Sequence, residues 1–400
     1  MTDAILVLNA GSSSLKFAMF KRLPDVPLML RGSVSPLRDK PRLKVSTAGG
    51  KPARETDLGA GSLSVAAALD IVFADIGDRG LVGRIGVAGH RIVHGGRKFT
   101  APAVLDKRTL DALADLVGLA PIHQPHNLEI VELAARCLPE AIQVGCFDTA
   151  FHADRPRLAT LYGLPRTLTE SGVISFGFHG ISYGYVASRL RARYGAKAGG
   201  RAIVAHLGSG ASLCTMREGK SVATTMGFSS LDGLLMSTRC GSLDPGVVIH
   251  LLQNREMSVE GLSRLLYDQS GLLGVSGISG DMQSLLEADD PNAAEAIDLF
   301  VYRAGREIGS LAAAAGGLDT LVFTAGIGEN SPLIRERICS AAGWLGVEID
   351  SGRNRRGEEC ISASGSAVDV LVIPTDEERA VAEQVLSIVA GDSNGANRTP

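Results

Sequence analysis

The feature that most constrains this chain is a hairpin signature that it carries twice. Residues 5–8 form an apolar run that meets Asn9, passes a Gly/Ser turn and returns through Leu15, Phe17 and Met19. That pattern predicts a β-hairpin whose turn presents backbone N–H groups and hydroxyls to an anion. Residues 203–214 repeat the device, with His206-Leu-Gly-Ser in the place of Asn9-Ala-Gly-Ser. One such turn constrains little. Two of them, about half a chain apart, predict a duplicated fold that grips a polyphosphate from both sides.

A chain of 400 residues is long enough for two domains, each with its own core. A formal net charge of -3 argues against a broad nucleic-acid surface, so no nucleic-acid partner is expected. The most apolar long stretch, 308–328, is broken by Asp319 and several glycines, and no membrane span or membrane partner is expected. The run at 5–8 is too short, and lacks the basic flank, for a secretory leader. Six cysteines occur without CxxC spacing, as expected of reduced thiols. Together these readings place the protein in the cytoplasm.

Several segments concentrate polar groups at strand ends. Residues 85–88 read as a strand running into Gly89-His-Arg-Ile-Val-His-Gly-Gly96. Arg91 there suits an anionic substrate group, because a guanidinium pairs with a carboxylate in a planar fork; a structural ion pair is the alternative. His94, three residues on in an extended segment, need not face the same way. Asp148 follows an apolar strand, where an α/β enzyme keeps a catalytic carboxylate, and could otherwise cap a turn. His179 lies in Phe-Gly-Phe-His-Gly before a helix, either placed for function or satisfied in a core. The Gly- and Ser-rich stretch 225–245 reads as a binding loop in which Arg239 could clamp a phosphoryl group or lie on the surface. Residues 271–281 and the Gly-x-Gly at 326–328 read as loops, the latter a floor for a nucleotide's sugar and base. The acids after residue 374 could serve Mg²⁺ or the first turn of a helix. The histidines of Pro121-Ile-His-Gln-Pro-His126 match no standard metal spacing. The polar tail 391–400 is expected to be unstructured.

Taken in order, the motifs LNAGSSSLK, GHRIVHGG, CFDTAFH, GFHG, HLGSGAS, STRCGSLDPG, TAGIGENSP and IPTDEE resemble those of the acetate kinase family. That family belongs to the superfamily of acetate and sugar kinases, heat-shock ATPases and actin, and the resemblance runs from Leu6 to about Val385. It implies an α/β protein of two ribonuclease-H-like (actin-like ATPase) domains, with a nucleotide cleft between them, and a homodimer. The corresponding division is 1–150 plus 379–400 for the acid- and metal-binding domain and 151–378 for the nucleotide-binding one. The implied activity is Mg²⁺-dependent transfer of the ATP γ-phosphate to acetate, giving acetyl phosphate and ADP, with Mn²⁺ as a substitute metal.

Carried over by position, the resemblance assigns Asn9 and Glu377 to Mg²⁺, Lys16 to the ATP phosphates and Arg91 to the acid's carboxylate. Asp148 becomes the essential carboxylate, and His179 and Arg239 stabilise the transferring phosphoryl group. His206, Leu207, Gly208, Ser209, Gly210, Asp281, Met282, Gln283, Gly326, Ile327, Gly328, Glu329 and Asn330 form the nucleotide site. Val93, Ile122 and Phe178 form an apolar cup for the methyl group. The chain departs from the family's usual residues at Ser209 (Asn), Gln283 (Arg), Ser230 (Pro), Tyr183 (His) and Ser242 (an acid).

A carboxylic acid with a pKa near ~4 to 5 is already ionised at neutral pH, so the nucleophile needs no general base. Positioning and charge neutralisation then suffice, with His179 as a hydrogen-bond donor rather than a covalent nucleophile. Asp148 is accordingly expected to orient Arg91 and the hydrated metal. The alternatives are a propionate or butyrate kinase on the same scaffold, a sugar kinase, whose site would need several side chains reading hydroxyls, and an actin- or chaperone-like ATPase.

Overall fold

A computed structural model describes residues 2–11, 14–37, 39–48, 54–120 and 123–395, with only the backbone from 390 onward. Ile122, Ser12, Ser13 and the last residues of the tail lie outside the described residues. The chain divides into two compact units, one formed by 1–151 with 376–400 and the other by 152–375. This division places Asp376, Glu377 and Glu378 in the first unit.

The first unit is built on an eight-stranded sheet. Its strands are β1 (Ala4–Ala10), β2 (Leu15–Lys21), β3 (Leu28–Ser35), β4 (Arg42–Thr47), β5 (Arg54–Asp57), β6 (Ile85–Ile92), β7 (Ala103–Val104) and β8 (Ile142–Phe147). They lie in the order β5-β4-β3-β2-β1-β6-β8-β7. The hairpin β1–β2 is antiparallel, with Asn9 opposite Lys16, and β1, β6 and β8 run parallel. Side chains of β1 and β2 (Leu6, Leu8, Leu15, Phe17, Met19) join the helix Val65–Asp78 and the helix Gln124–Cys137 in one core. Ser64 caps the first of these helices by accepting from the Ala67 N–H. The terminal helix Glu377–Gly395 also contacts β1 and β6, so β1 is buried almost throughout.

The second unit repeats the scheme with five strands, β9 (Arg201–Leu207), β10 (Ala211–Arg217), β11 (Lys220–Thr224), β12 (Thr320–Thr324) and β13 (Asp369–Val372). Their order is β11-β10-β9-β12-β13, with β9 antiparallel to β10 and parallel to β12. Three antiparallel strands followed by two parallel ones thus occur in both units. His206 holds the same next-to-last place in β9 that Asn9 holds in β1. The helix Pro291–Ala315 packs on this sheet, capped by Asp290 at its start and by Gly316 in the left-handed region at its end.

Three expectations need correction. Residues 271–281 are not wholly loop, since Gly271–Ser276 is helical. The segment at 326–330 is likewise a short helix, Ala325–Asn330. Glycine content disfavours a helix there, but the Glu329 carboxylate accepts from the Ala325 N–H at 2.7 Å, and this local cap offsets the poor propensity. Residues 391–395 of the polar tail are helical rather than unstructured, because the terminal helix continues to Gly395. Among the described residues, no helix is long and apolar enough to cross a membrane.

Candidate active site

In the first unit, Arg91 sits next to last on β6 and Asp148 directly follows β8, the neighbouring parallel strand. This register brings the guanidinium onto the carboxylate. Asp148, 2 % exposed, accepts from Arg91 Nε at 3.1 and 3.2 Å and from Nη2 at 2.7 Å. Arg91 Nη1 donates to Glu377 Oε2 at 2.9 Å and to Asn9 Oδ1 at 3.3 Å. Asn9 in turn donates to Glu377 at 3.0 Å and to Glu378 at 3.4 Å. Burial opposes the charge on Arg91, but Asp148 and Glu377 outweigh it and hold the guanidinium protonated above its ordinary range. Arg31 on β3 pairs with Asp376 at 2.5 Å, which fixes the start of the terminal helix and so the place of Glu377.

The other donors of the GHRIVHGG segment turn elsewhere. His90, on the opposite face of β6, is within 2.8 Å of Gln143 Oε1, and burial lowers its pKa to about 4. His94 is fully buried, accepts from the Gly96 N–H at 2.8 Å, and is lowered to about 4 by burial. Val93 is half-buried, its N–H held by Asn127 at 3.0 Å. Lys16 is exposed on β2 and makes no ion pair among the described residues.

In the second unit, His179 precedes the helix Gly180–Tyr194 and adopts a left-handed backbone with φ of 57°. Its ring stacks on that of His206 at a centroid distance of 4.2 Å. Each ring is engaged at Nδ1 by a serine, His179 by Ser212 at 2.8 Å and His206 by Ser182 at 2.9 Å. Behind them, His152 engages the Phe178 carbonyl through Nε2 at 3.0 Å, fixing the peptide just before His179. Burial, reinforced by Arg155, lowers the pKa of His152 to about 3, so this ring is a neutral donor at pH 7. Gly177 is required here, with φ of 79°, since a Cβ would lie 2.8 Å from the His152 ring. Phe178 itself is 2 % exposed.

Arg239 donates through Nη1 to the Ser230 carbonyl at 2.7 Å. A Cβ placed on Gly210 would meet Arg239 Nη2 at 3.1 Å and His179 Nε2 at 3.3 Å, so both donors converge over the second hairpin turn. Gly210→Ala is therefore expected to preserve the fold and to lower turnover by about 10²-fold, the scale of losing one preorganised donor. Equal unfolding midpoints beside unequal kcat values would bear this out, and unchanged kcat would refute it.

A cavity of about 330 Å³ opens beside the same turn, lined by Gly208, Ser209, Asp281, Met282, Gln283, Gly326, Ile327 and Asn330 among the sequence-read positions. His206, Leu207, Gly210, Gly328 and Glu329 do not line it. Ser237, Gly280, Leu286 and Ser331 complete its lining, and only the segments around Ser237, Gly280 and Ser331, not these residues singly, are expected from sequence. Ser237 bonds the Gly280 carbonyl at 2.7 Å, a tertiary tie between two irregular segments that leaves no periodic trace in sequence. Asp281 accepts from the Ser284 N–H and caps a helix, while Gln283 donates to Glu287 at 2.5 Å.

Among the described residues no cluster of three or more His, Cys, Asp or Glu side chains stands ready to hold a metal. The side-chain oxygens of Asn9 and Glu377, both accepting from the same guanidinium, are of the type bound by a hard cation that takes one or two carboxylates and completes its shell with water and phosphate.

Comparison with known proteins follows the same lines. The model of the acetokinase family matches residues 4–383. An acetate kinase of Rhodopseudomonas palustris is 48% identical over 397 residues, covering 98% of this chain and 100% of that one. One from Rhizobium meliloti is 45% identical over 394 residues, covering 97% and 99%. Among solved structures, a propionate kinase from Francisella tularensis superposes with a TM-score of 0.88 at 33% identity, covering 96% of this chain and 98% of its own. The acetate kinase of Porphyromonas gingivalis gives 0.84 at 35% identity, covering 97% and 100%.

Proposed function

The chain belongs to the acetokinase family, and from that premise we infer that it is an ATP-dependent acetate kinase forming acetyl phosphate and ADP reversibly. The observation that carries the reading is the Arg91 cluster: one half-buried guanidinium, oriented by Asp148 and Glu377, beside Asn9 at the end of β1. Asp148 and Glu377 engage its fork and hold it in place, and its charge would attract a carboxylate and offset the cost of bringing an anionic nucleophile toward an anionic γ-phosphate.

In this reading the first unit supplies the acid and metal side and the second the nucleotide side. Arg91 holds the acid, Val93 serves its methyl group, and Lys16 serves the ATP phosphates. The cavity beside Gly208 takes the nucleotide, with the remaining nucleotide positions supporting it, and His179 and Arg239 donate to the equatorial oxygens of the transferring group. Asn9 and Glu377 would hold Mg²⁺, which supplies charge neutralisation at the phosphates. A carboxylate oxygen forms the new bond to phosphorus as the bond to the ADP oxygen breaks. No proton needs removing from the nucleophile. The protein would act in the cytoplasm as a homodimer, with no nucleic-acid or membrane partner.

The test is acyl phosphate production, trapped with hydroxylamine, from ATP, Mg²⁺ and acetate, propionate, butyrate or glycerol. Acetate is expected to give the highest kcat/KM with propionate behind it, because one buried methylene is worth only about 0.8 kcal/mol. Propionate or butyrate strongest would move the substrate while leaving the chemistry. ATP hydrolysis with no acyl phosphate from any acid would overturn the reading.

A further inference from the structure

We propose that Tyr183 and Ser212 form a hydroxyl relay that holds the His179 ring with its proton on Nε2 and Nδ1 as acceptor, making both of them positioning residues for phosphoryl transfer. The proposal rests on the reading of His179 as a donor to the phosphoryl group. Tyr183 lies one helical turn beyond His179, its N–H bonded to the His179 carbonyl at 3.0 Å. Its hydroxyl is 2.5 Å from Ser212 Oγ, and Ser212 Oγ is 2.8 Å from His179 Nδ1. Tyr183 and Ser212 are both wholly buried, so neither hydroxyl can exchange partners with bulk water.

The direction of the relay follows from the groups in it. A phenol is a stronger acid than an alcohol, and therefore the better donor of the two. The Tyr183 O–H donates a hydrogen bond to Ser212 Oγ, which turns the serine O–H toward His179. Nδ1 is then the acceptor, and the ring proton sits on Nε2. Nε2 is also the nitrogen that converges with Arg239 over Gly210. A serine alone does not settle the matter, since its oxygen could equally accept from a protonated Nδ1. The tyrosine makes that second arrangement costly, because an Oγ accepting from both the phenol and Nδ1–H would leave the buried serine proton without the imidazole as its acceptor. His206 has a similar second hydroxyl behind its serine, Thr375 Oγ1 at 2.9 Å from Ser182 Oγ, so the paired construction is local to this histidine stack.

A purely structural hydroxyl would affect stability; a tautomer lock affects where the imidazole proton resides. The experiment is nitrogen-15 NMR of histidine-labelled full-length protein, with the His179 signals assigned by a His179→Gln variant, alongside steady-state kinetics. The wild-type ring is expected to show a protonated Nε2 and a bare Nδ1. Tyr183→Phe keeps the ring volume and is expected to yield mixed nitrogen shifts and a kcat lower by about tenfold, with both KM values within about twofold. Ser212→Ala should do the same. The double variant should fall no further than the worse single one, because both remove a single relay. A protonated Nδ1 in the wild type, or Tyr183→Phe with unaltered His179 shifts, overturns the proposal. Should the wild type make no acyl phosphate, the functional reading fails, while the nitrogen shifts still decide the tautomer.

Discussion

Replacing Arg91 by alanine is expected to lower acid-dependent turnover by about 10²- to 10³-fold, the cost of removing a preorganised charge from a phosphoryl-transfer site. If the cavity beside Gly208 takes the nucleotide, ADP affinity should largely persist, because every residue lining that cavity belongs to the second unit. The substitution also leaves Asp148 buried, and Glu377 mostly so, without their cation. Orphaning a buried charge costs about 3–5 kcal/mol, so the unfolding midpoint should drop in the same variant. Hydroxamate assays, calorimetric ADP titration and urea unfolding separate these effects. Undiminished acyl phosphate from Arg91→Ala would remove the assignment of the acid site. Arg91→Lys restores the charge but offers no planar fork to Asp148 and Glu377, so recovery should be partial.

Asp148→Asn is expected to reduce kcat by about a thousandfold while conserving shape. The carboxylate receives three hydrogen bonds from one guanidinium. An amide accepts at its oxygen alone, and its NH₂ would face N–H donors, so Arg91 would lose its orientation. The pH profile then separates orientation from proton abstraction. If Asp148 orients, the residual activity of Asp148→Asn follows the same pH dependence as the wild type, set by ionisation of the acid substrate. If Asp148 is a base, the acidic limb disappears in the variant. That second outcome would reassign the residue and favour a hydroxyl acceptor.

Residues whose role depends on place in a strand could be read in advance. Asn9, Asp148 and Arg91 stand at strand ends in a parallel arrangement, and alternation together with Gly-rich termini marks such ends even without a structure. The two hairpins were legible for the same reason, since an apolar run, a polar pivot and a Gly/Ser turn are local features. What escaped was tertiary. The helices Gly271–Ser276 and Ala325–Asn330 are too short to show a period, and the second is capped by a carboxylate that also receives the Thr375 N–H. His152 stood in a motif without an evident task, because its bond to the Phe178 carbonyl joins segments that only folding brings together. Ser237 and Gly280 are a similar pair. Ser212, inside the second hairpin, gave no hint that its hydroxyl would meet an imidazole from the preceding helix start.

The first unit is discontinuous: the chain leaves it after Phe151 and returns only at Asp376. During synthesis, residues 152–375 can emerge and fold as an uninterrupted segment while their forerunner still lacks a helix and the carboxylate of Glu377. Until residues 376–395 clear the ribosome, Arg91 has Asp148 but not its second partner, and the inner face of β1 that this helix covers stays open. Nascent chains therefore pass through an interval in which the second unit can be complete and the first cannot, so a chain stopped before Asp376 could fold 152–375 while Arg91 never gains Glu377.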